Sequence, residues 1–266
     1  MAKKRYIVGI IPARMGSTRF PGKPLAEICG KAMIYHVYFR SVLSRILHDV
    51  YVATPDKEIQ DYCNKNDMNV VMTKPTHERA SDRTAEAMLK VERLSGRRID
   101  IVVMIQGDEP LIHPRMINLA VMPLIKDKRI LVSNLISPLK SIKEFEDQNE
   151  VKVVADRNNF ALYFSREPIP SRKKGFEKVP MMKQVCVIPF QRDFLLKFNR
   201  LRQTPLEIIE SIDMLRCLEN GYKVKLITCN FNTYSVDTKR DLRHVIRLMK
   251  KDSLRKSSAG PKGVLL

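Results

Sequence analysis

Hydrophobic and polar positions along this chain follow two periods. Short β-branched runs at residues 6–11, 50–54, 69–73 and 101–105 read as strands. Between them, at 33–47, 57–65 and 83–94, apolar residues return every three or four positions, the spacing of one helix face. Strand and helix in turn predict a Rossmann-like α/β fold, a mostly parallel sheet with helices on both faces. After residue 130 the rhythm changes. Strands expected at 131–135, 151–155, 160–165 and 185–190, separated by short helical pieces, imply a β-rich subdomain inserted at about 130–200. A helix returns at 205–219, where Leu206, Ile209, Ile212, Leu215 and Leu218 make an apolar stripe and Glu207 and Glu210 lie off its centre. A strand at 223–229 and a helix at 239–251 close a single domain of residues 1–250, and residues 251–266 read as a basic, disordered tail.

Composition narrows the class. A chain of 266 residues, 44% hydrophobic, can bury one substantial core. It has no apolar run of 18 residues, and 6–11 is too short for a signal-peptide core, so a soluble, cytoplasmic protein with no membrane span is expected. Five scattered cysteines without a CxxC pair signal neither a disulfide framework nor a zinc site. The net charge of +19 suits a polyanionic partner, yet the cations are spread along the chain and are densest near its end, at Lys250, Lys251, Arg255, Lys256 and Lys262. No nucleic-acid motif accompanies them, so no specific nucleic acid is expected; a nucleotide triphosphate would account for part of the charge.

Three segments carry candidate chemistry. After the first strand, Pro12-Ala13-Arg14-Met15-Gly16-Ser17-Thr18-Arg19-Phe20-Pro21-Gly22-Lys23-Pro24-Leu25 places three cations among small residues. Backbone N–H groups there can approach phosphate oxygens while Arg and Lys supply donors and charge. The loop fits neither the P-loop nor the dinucleotide fingerprint, and its spacing alone suits a phosphate cradle or a solvated basic turn equally. The fourth strand runs into Gln106-Gly107-Asp108-Glu109-Pro110, where Asp108 suits a hard cation held over phosphates or, more simply, a turn before Pro110. Asp237, in Tyr234-Ser235-Val236-Asp237-Thr238, suits a helix cap or, if it meets Asp108 in space, a metal.

Residues 14–25, 106–110, Leu162-Tyr163-Phe164-Ser165-Arg166, Pro205-Leu206-Glu207 with Glu210, and Val236-Asp237-Thr238 fall in the order and approximate separations of the CMP-Kdo synthetases, a family that the chain resembles over about residues 5–250. The loop and the Gln-Gly-Asp-Glu-Pro stretch are shared with other sugar nucleotidyltransferases; the other segments are more specific. The resemblance implies a nucleotide-diphospho-sugar transferase fold, a homodimer made through the inserted strands, and transfer of CMP from CTP to an acidic sugar with Mg²⁺. It implies that Arg14, Arg19 and Lys23 hold the triphosphate and that Asp108 and Asp237 ligate Mg²⁺, with Arg14, Arg19, Lys23 and Asp108 as the catalytic set. Pro12, Ala13, Ser17, Arg79 and Ser81 complete the nucleotide contacts. Gln106, Arg166, Gln184 and Glu210 match positions that face the sugar.

Two stretches depart from the family pattern. His77-Glu78-Arg79-Ala80-Ser81-Asp82-Arg83 keeps the ends of His-x-Ser-Gly-Thr-Asp/Glu-Arg and changes its middle. On the sugar side His-x-Gly-x-Tyr becomes Gln184-Val185-Cys186-Val187-Ile188, which leaves an uncharged amide and an apolar surface for the acceptor. A changed sugar follows. The alternatives are a nucleotidyltransferase for a different sugar or sugar phosphate, and a catalytically silent binding homologue.

Overall fold

The computed structural model describes residues 5–16, 19–173 and 180–254. They form two units. The first takes in the chain up to Ile99, Met104–Arg115 and the chain from Thr233 on; the second holds Asp100–Val103 and Met116–Asn232.

The first unit opens on β1 (Ile7–Pro12), whose apolar residues are buried on both faces as a parallel strand requires. A 3-10 turn at Lys23–Leu25 follows, then a small hairpin of β2 (Glu27–Ile28) and β3 (Lys31–Ala32), α1 (Met33–Val42), β4 (Asp49–Thr54), α2 (Lys57–Lys65), β5 (Val70–Met72) and α3 (Ala80–Ser95). β4 pairs in parallel with β1 on one side and β5 on the other, so the carboxyl ends of these strands open to the same side. α1 stops at Val42 rather than near 47, because the chain turns there: the N–H of Ser44 bonds to Ser41, and the Ser44 hydroxyl accepts from Ile46. β6 (Ile101–Ile105) is apolar and buried throughout, and its last two residues lead into the first unit.

The second unit takes in α4 (Pro114–Lys126) from Met116 on, a helix that the periodicity did not mark. Its elements are β7 (Ser133–Pro138), α5 (Ile142–Glu146), β8 (Lys152–Ala155), β9 (Ala161–Ser165), β10 (Met182–Val185), β11 (Val187–Gln191), α6 (Arg192–Phe198), α7 (Pro205–Glu210), α8 (Met214–Glu219) and β12 (Lys225–Thr228). Five of the strands order as β12-β7-β10-β8-β9, antiparallel except for the β12–β7 pair. The run 185–190 is two strands, because the chain changes sheet at Cys186.

The helix expected at 205–219 is also two. Ser211 adopts the left-handed conformation (φ 55°) and ends α7. The stripe misleads because a buried ion pair overrides it. Glu207 turns inward, fully buried, and takes both ends of the Arg216 guanidinium at 2.6 and 2.8 Å, while Ile208 and Ile209 stay in solvent. The chain then returns to the first unit in α9 (Lys239–Lys251), which buries Val245 and Met249 with Val236, Ile28 and Met33.

Candidate functional site

The loop after β1 is fastened at both ends. Ala13 donates its N–H to Ala53 (2.9 Å), Met15 donates to the Asp56 carboxylate (2.7 Å), and Gly22 closes the loop by donating to the Met15 carbonyl (3.1 Å). Gly22 has φ 71°, a conformation that side chains with a Cβ resist, and it aims the following turn. That turn delivers Lys23. Its ammonium lies 2.8 Å from Asp108 Oδ2 and 3.2 Å from Asp237 Oδ1, and Arg19 Nη2 reaches the same Asp237 oxygen at 3.0 Å. The two carboxylate oxygens are therefore no farther apart than those two lysine contacts allow. Burial works to lower the Lys23 pKa, and the two carboxylates outweigh it and raise it above the ordinary lysine value.

Asp108 and Asp237 come from distant parts of the chain and are joined through the backbone as well, by Val236 N–H donating to the Asp108 carbonyl at 2.9 Å. Gly107 lets the Asp108 segment pass beside β1, since a Cβ there would lie 3.4 Å from the Pro12 carbonyl oxygen and 3.2 Å from the Ile34 side chain. Asp237 is not a helix cap. Thr238 takes that role, accepting from Asp241 N–H and returning its own N–H to the Asp241 carboxylate.

The lysine and Asp108 border a cavity of about 360 Å³ within the first unit. Arg14, Arg19, Arg79 and Arg83 line it with Lys23, and its walls include Pro12, Ala13 and Gln106. Such a concentration of cations suits a polyphosphate. Arg83, which the expected site set omits, is 3% exposed, and its guanidinium donates to Thr73 Oγ1 (2.5 Å) and to the carbonyls of Lys74 and His77 (both 3.3 Å). Burial, then the charge of nearby Arg14, pulls its pKa down. His77 is paired with Glu86, which also accepts from Lys90 and from the Lys74 N–H. The spacing of His77 and Arg83 is the sequence signal that points to this support. Ser81 is fully buried in the first turn of α3, and Ser17 lies outside the described residues.

In the second unit Arg166 and Glu210 come together. Glu210 Oε1 accepts from Ser165 Oγ (2.7 Å) and Tyr163 OH (3.3 Å), and Oε2 accepts from Arg166 N–H (2.8 Å). The Arg166 side chain donates to the carbonyls of Glu210 (2.8 Å) and Gln148 (2.9 Å). Gln184 has a different partner, Asn134, whose Oδ1 accepts from it at 2.5 Å. Ile188 is 2% exposed, so it belongs to the core and offers a ligand almost no surface.

Among the described residues no group of three or more His, Cys, Asp or Glu side chains could hold a metal ion. Asp108 and Asp237 fit a different kind of site. Mg²⁺ takes one or two carboxylates and fills its shell with water and substrate phosphate, and Asp108 Oδ1 is a buried oxygen with no protein hydrogen bond. No helix among the described residues is long and apolar enough to cross a membrane.

A family model described as Cytidylyltransferase matches residues 8–227. The 3-deoxy-manno-octulosonate cytidylyltransferase of Geobacter metallireducens is 42% identical over 250 residues, spanning 90% of this chain and 96% of that protein. The enzyme of the same name from Solibacter usitatus is 41% identical over 92% of this chain and 95% of its own. A solved structure of CMP:2-keto-3-deoxy-manno-octonic acid synthetase complexed with CTP superposes with a TM-score of 0.85 at 36% identity, covering 92% of this chain and 99% of that one. A cationic cavity, a carboxylate pair and a match of this extent agree: the chain belongs to the cytidylyltransferase family, among the 3-deoxy-manno-octulosonate cytidylyltransferases.

Proposed function

We propose that this protein transfers CMP from CTP to an acidic sugar, Kdo or a Kdo-like ulosonic acid, in the cytoplasm, as a homodimer and with Mg²⁺. The observation that carries the reading is the meeting of Lys23 with both Asp108 and Asp237 at the edge of a cavity lined by arginines. A sugar hydroxyl attacks the α-phosphorus, its oxygen–phosphorus bond forms as the bond to the β-phosphate oxygen breaks, and pyrophosphate leaves with that electron pair while the hydroxyl proton goes to solvent. Arg14, Arg19 and Lys23 bind the triphosphate and offset the charge that develops on its oxygens, so catalysis is chiefly positioning and electrostatics. Pro12, Ala13, Ser17, Arg79 and Ser81 serve the nucleoside end. Asp108 and Asp237 are the residues that would hold Mg²⁺, which supplies charge neutralisation and alignment of phosphate oxygens when bound.

Gln106, Arg166, Gln184 and Glu210 are the acceptor side of this reading. Arg166 has guanidinium N–H groups beyond those it spends on carbonyls, enough for a sugar carboxylate. Gln184 brings an amide where the family has histidine, which favours a modified relative of Kdo. Pyrophosphate release from CTP and Mg²⁺ across a panel of ulosonic acids tests the proposal. Turnover with one acceptor is expected, and silence across the panel would overturn it. Light scattering of the eluted protein checks the homodimer.

A further inference from the structure

Arg40 lies on α1, outside the cavity lining, and is 4% exposed. Its guanidinium donates to the Ile112 carbonyl (3.2 Å), to Met249 Sδ (3.5 Å) and to the Asp252 carboxylate. These partners belong to two segments. Ile112 closes the turn that follows Asp108, its N–H bonded to the Glu109 carbonyl at 3.0 Å. Met249 and Asp252 end the helix that begins just after Asp237, and α9 spans about 20 Å between its two ends. The same two segments meet at the front through Val236 N–H and the Asp108 carbonyl, with Val236, Val245 and Met249 packed in one apolar cluster. One buried cation thus ties down the far ends of both carboxylate-bearing stretches.

We propose that Arg40 is a positioning residue for the Asp108–Asp237 pair, with Asp252 as its counter-ion, so that the end of α9 sets the spacing of two ligands it does not touch. The inference rests on reading those aspartates as metal ligands. Removing a partner that orients a metal ligand typically costs 10- to 100-fold in metal affinity. Hydrophobic replacement at 40 also strands the Ile112 carbonyl and leaves Asp252 without its cation.

Free Mn²⁺ measured by electron paramagnetic resonance, titrated into protein saturated with CTP, tests this. Arg40→Met and Asp252→Asn should each weaken Mn²⁺ binding about tenfold. Their double variant should be little worse than either alone, because both act through one contact. Arg247→Met, on the exposed face of α9, should bind as the unaltered protein does, and metal-free CTP binding should be the same in all. A merely structural Arg40 would lower the melting temperature yet leave Mn²⁺ affinity of the folded protein within twofold, and that result would overturn the proposal. If Arg40→Met fails to fold, Asp252→Asn decides by the same criterion. Unaltered protein that takes up no Mn²⁺ with CTP would sink the metal reading and this inference together, whereas normal uptake with unaffected variants sinks this inference alone.

Discussion

In the first unit Asp108 Oδ1 is buried without a hydrogen bond, whereas in the second Glu210 has both oxygens engaged and Arg166 spends part of its guanidinium on carbonyls. One region leaves an oxygen of Asp108 uncommitted at the edge of a cavity, beside two cations, Lys23 and Arg19, that are themselves paired. The other ties its charges to neighbouring hydroxyl and backbone groups. An ion whose hydrogen bonds are satisfied costs less to bury than an unpaired one, while an oxygen left without a donor is stable only where a cation or water can reach it. The difference teaches that charge alone does not mark a ligand site; unspent hydrogen-bonding capacity does.

This contrast can be broken from either side. Arg216→Met in the second unit removes one half of a pair whose members are 3% and 0% exposed, and should cost about 3–5 kcal/mol of stability. Urea unfolding measures it, and turnover of the folded fraction should persist. Lys23→Ala should do the reverse, lowering turnover by about 10²- to 10³-fold with the fold intact. Pyrophosphate release near the unaltered rate would remove Lys23 from the site. Gln184→Leu strands the buried Asn134 oxygen and should cost about 1–3 kcal/mol, read as a lower denaturation midpoint, with the KM for the acceptor changed and that for CTP unchanged.

The smallest expected effect is a pH dependence. Burial acts to raise the Glu86 pKa, but hydrogen bonds from Lys90, the Lys74 backbone and His77 outweigh it and hold the carboxyl at about 2 against an ordinary 4.5. A depressed carboxylate contributes stability that is fully present above its unfolded value and fades as pH falls from there toward 2. Glu86→Gln should flatten melting temperature against pH in that window; an unchanged slope would deny Glu86 the role of tethering the 74–79 loop.

Sequence made the first region readable because its loop is local. Residues 12–25 gather glycines, prolines and three cations in one stretch after a strand, and the alternation of strand and helix places that stretch at a carboxyl end. What joins it to the rest is long-range: Lys23 meets partners 85 and 214 positions away, which no spacing rule supplies. Arg40 was illegible for the same reason, one arginine on a helix with partners 72 and 212 positions distant. The second region misled where burial and polarity cross. Periodicity scores Ile209 as core and Glu207 as off the stripe, yet the structure exposes the isoleucine and buries the glutamate with Arg216. Ile188 stands where the family carries a polar sugar contact, and no pattern distinguishes an apolar residue facing a ligand from one facing the core.

Lys152, at the start of β8, is wholly buried, and its ammonium donates to the carbonyls of Asp147 (2.8 Å), Glu150 (2.7 Å) and Arg166. An amine with all three protons engaged and no path to solvent is closed to acylating reagents while the sheet is intact. Its labelling rate therefore acts as a clock for the opening of that sheet, and a ligand that grips Arg166 would slow it.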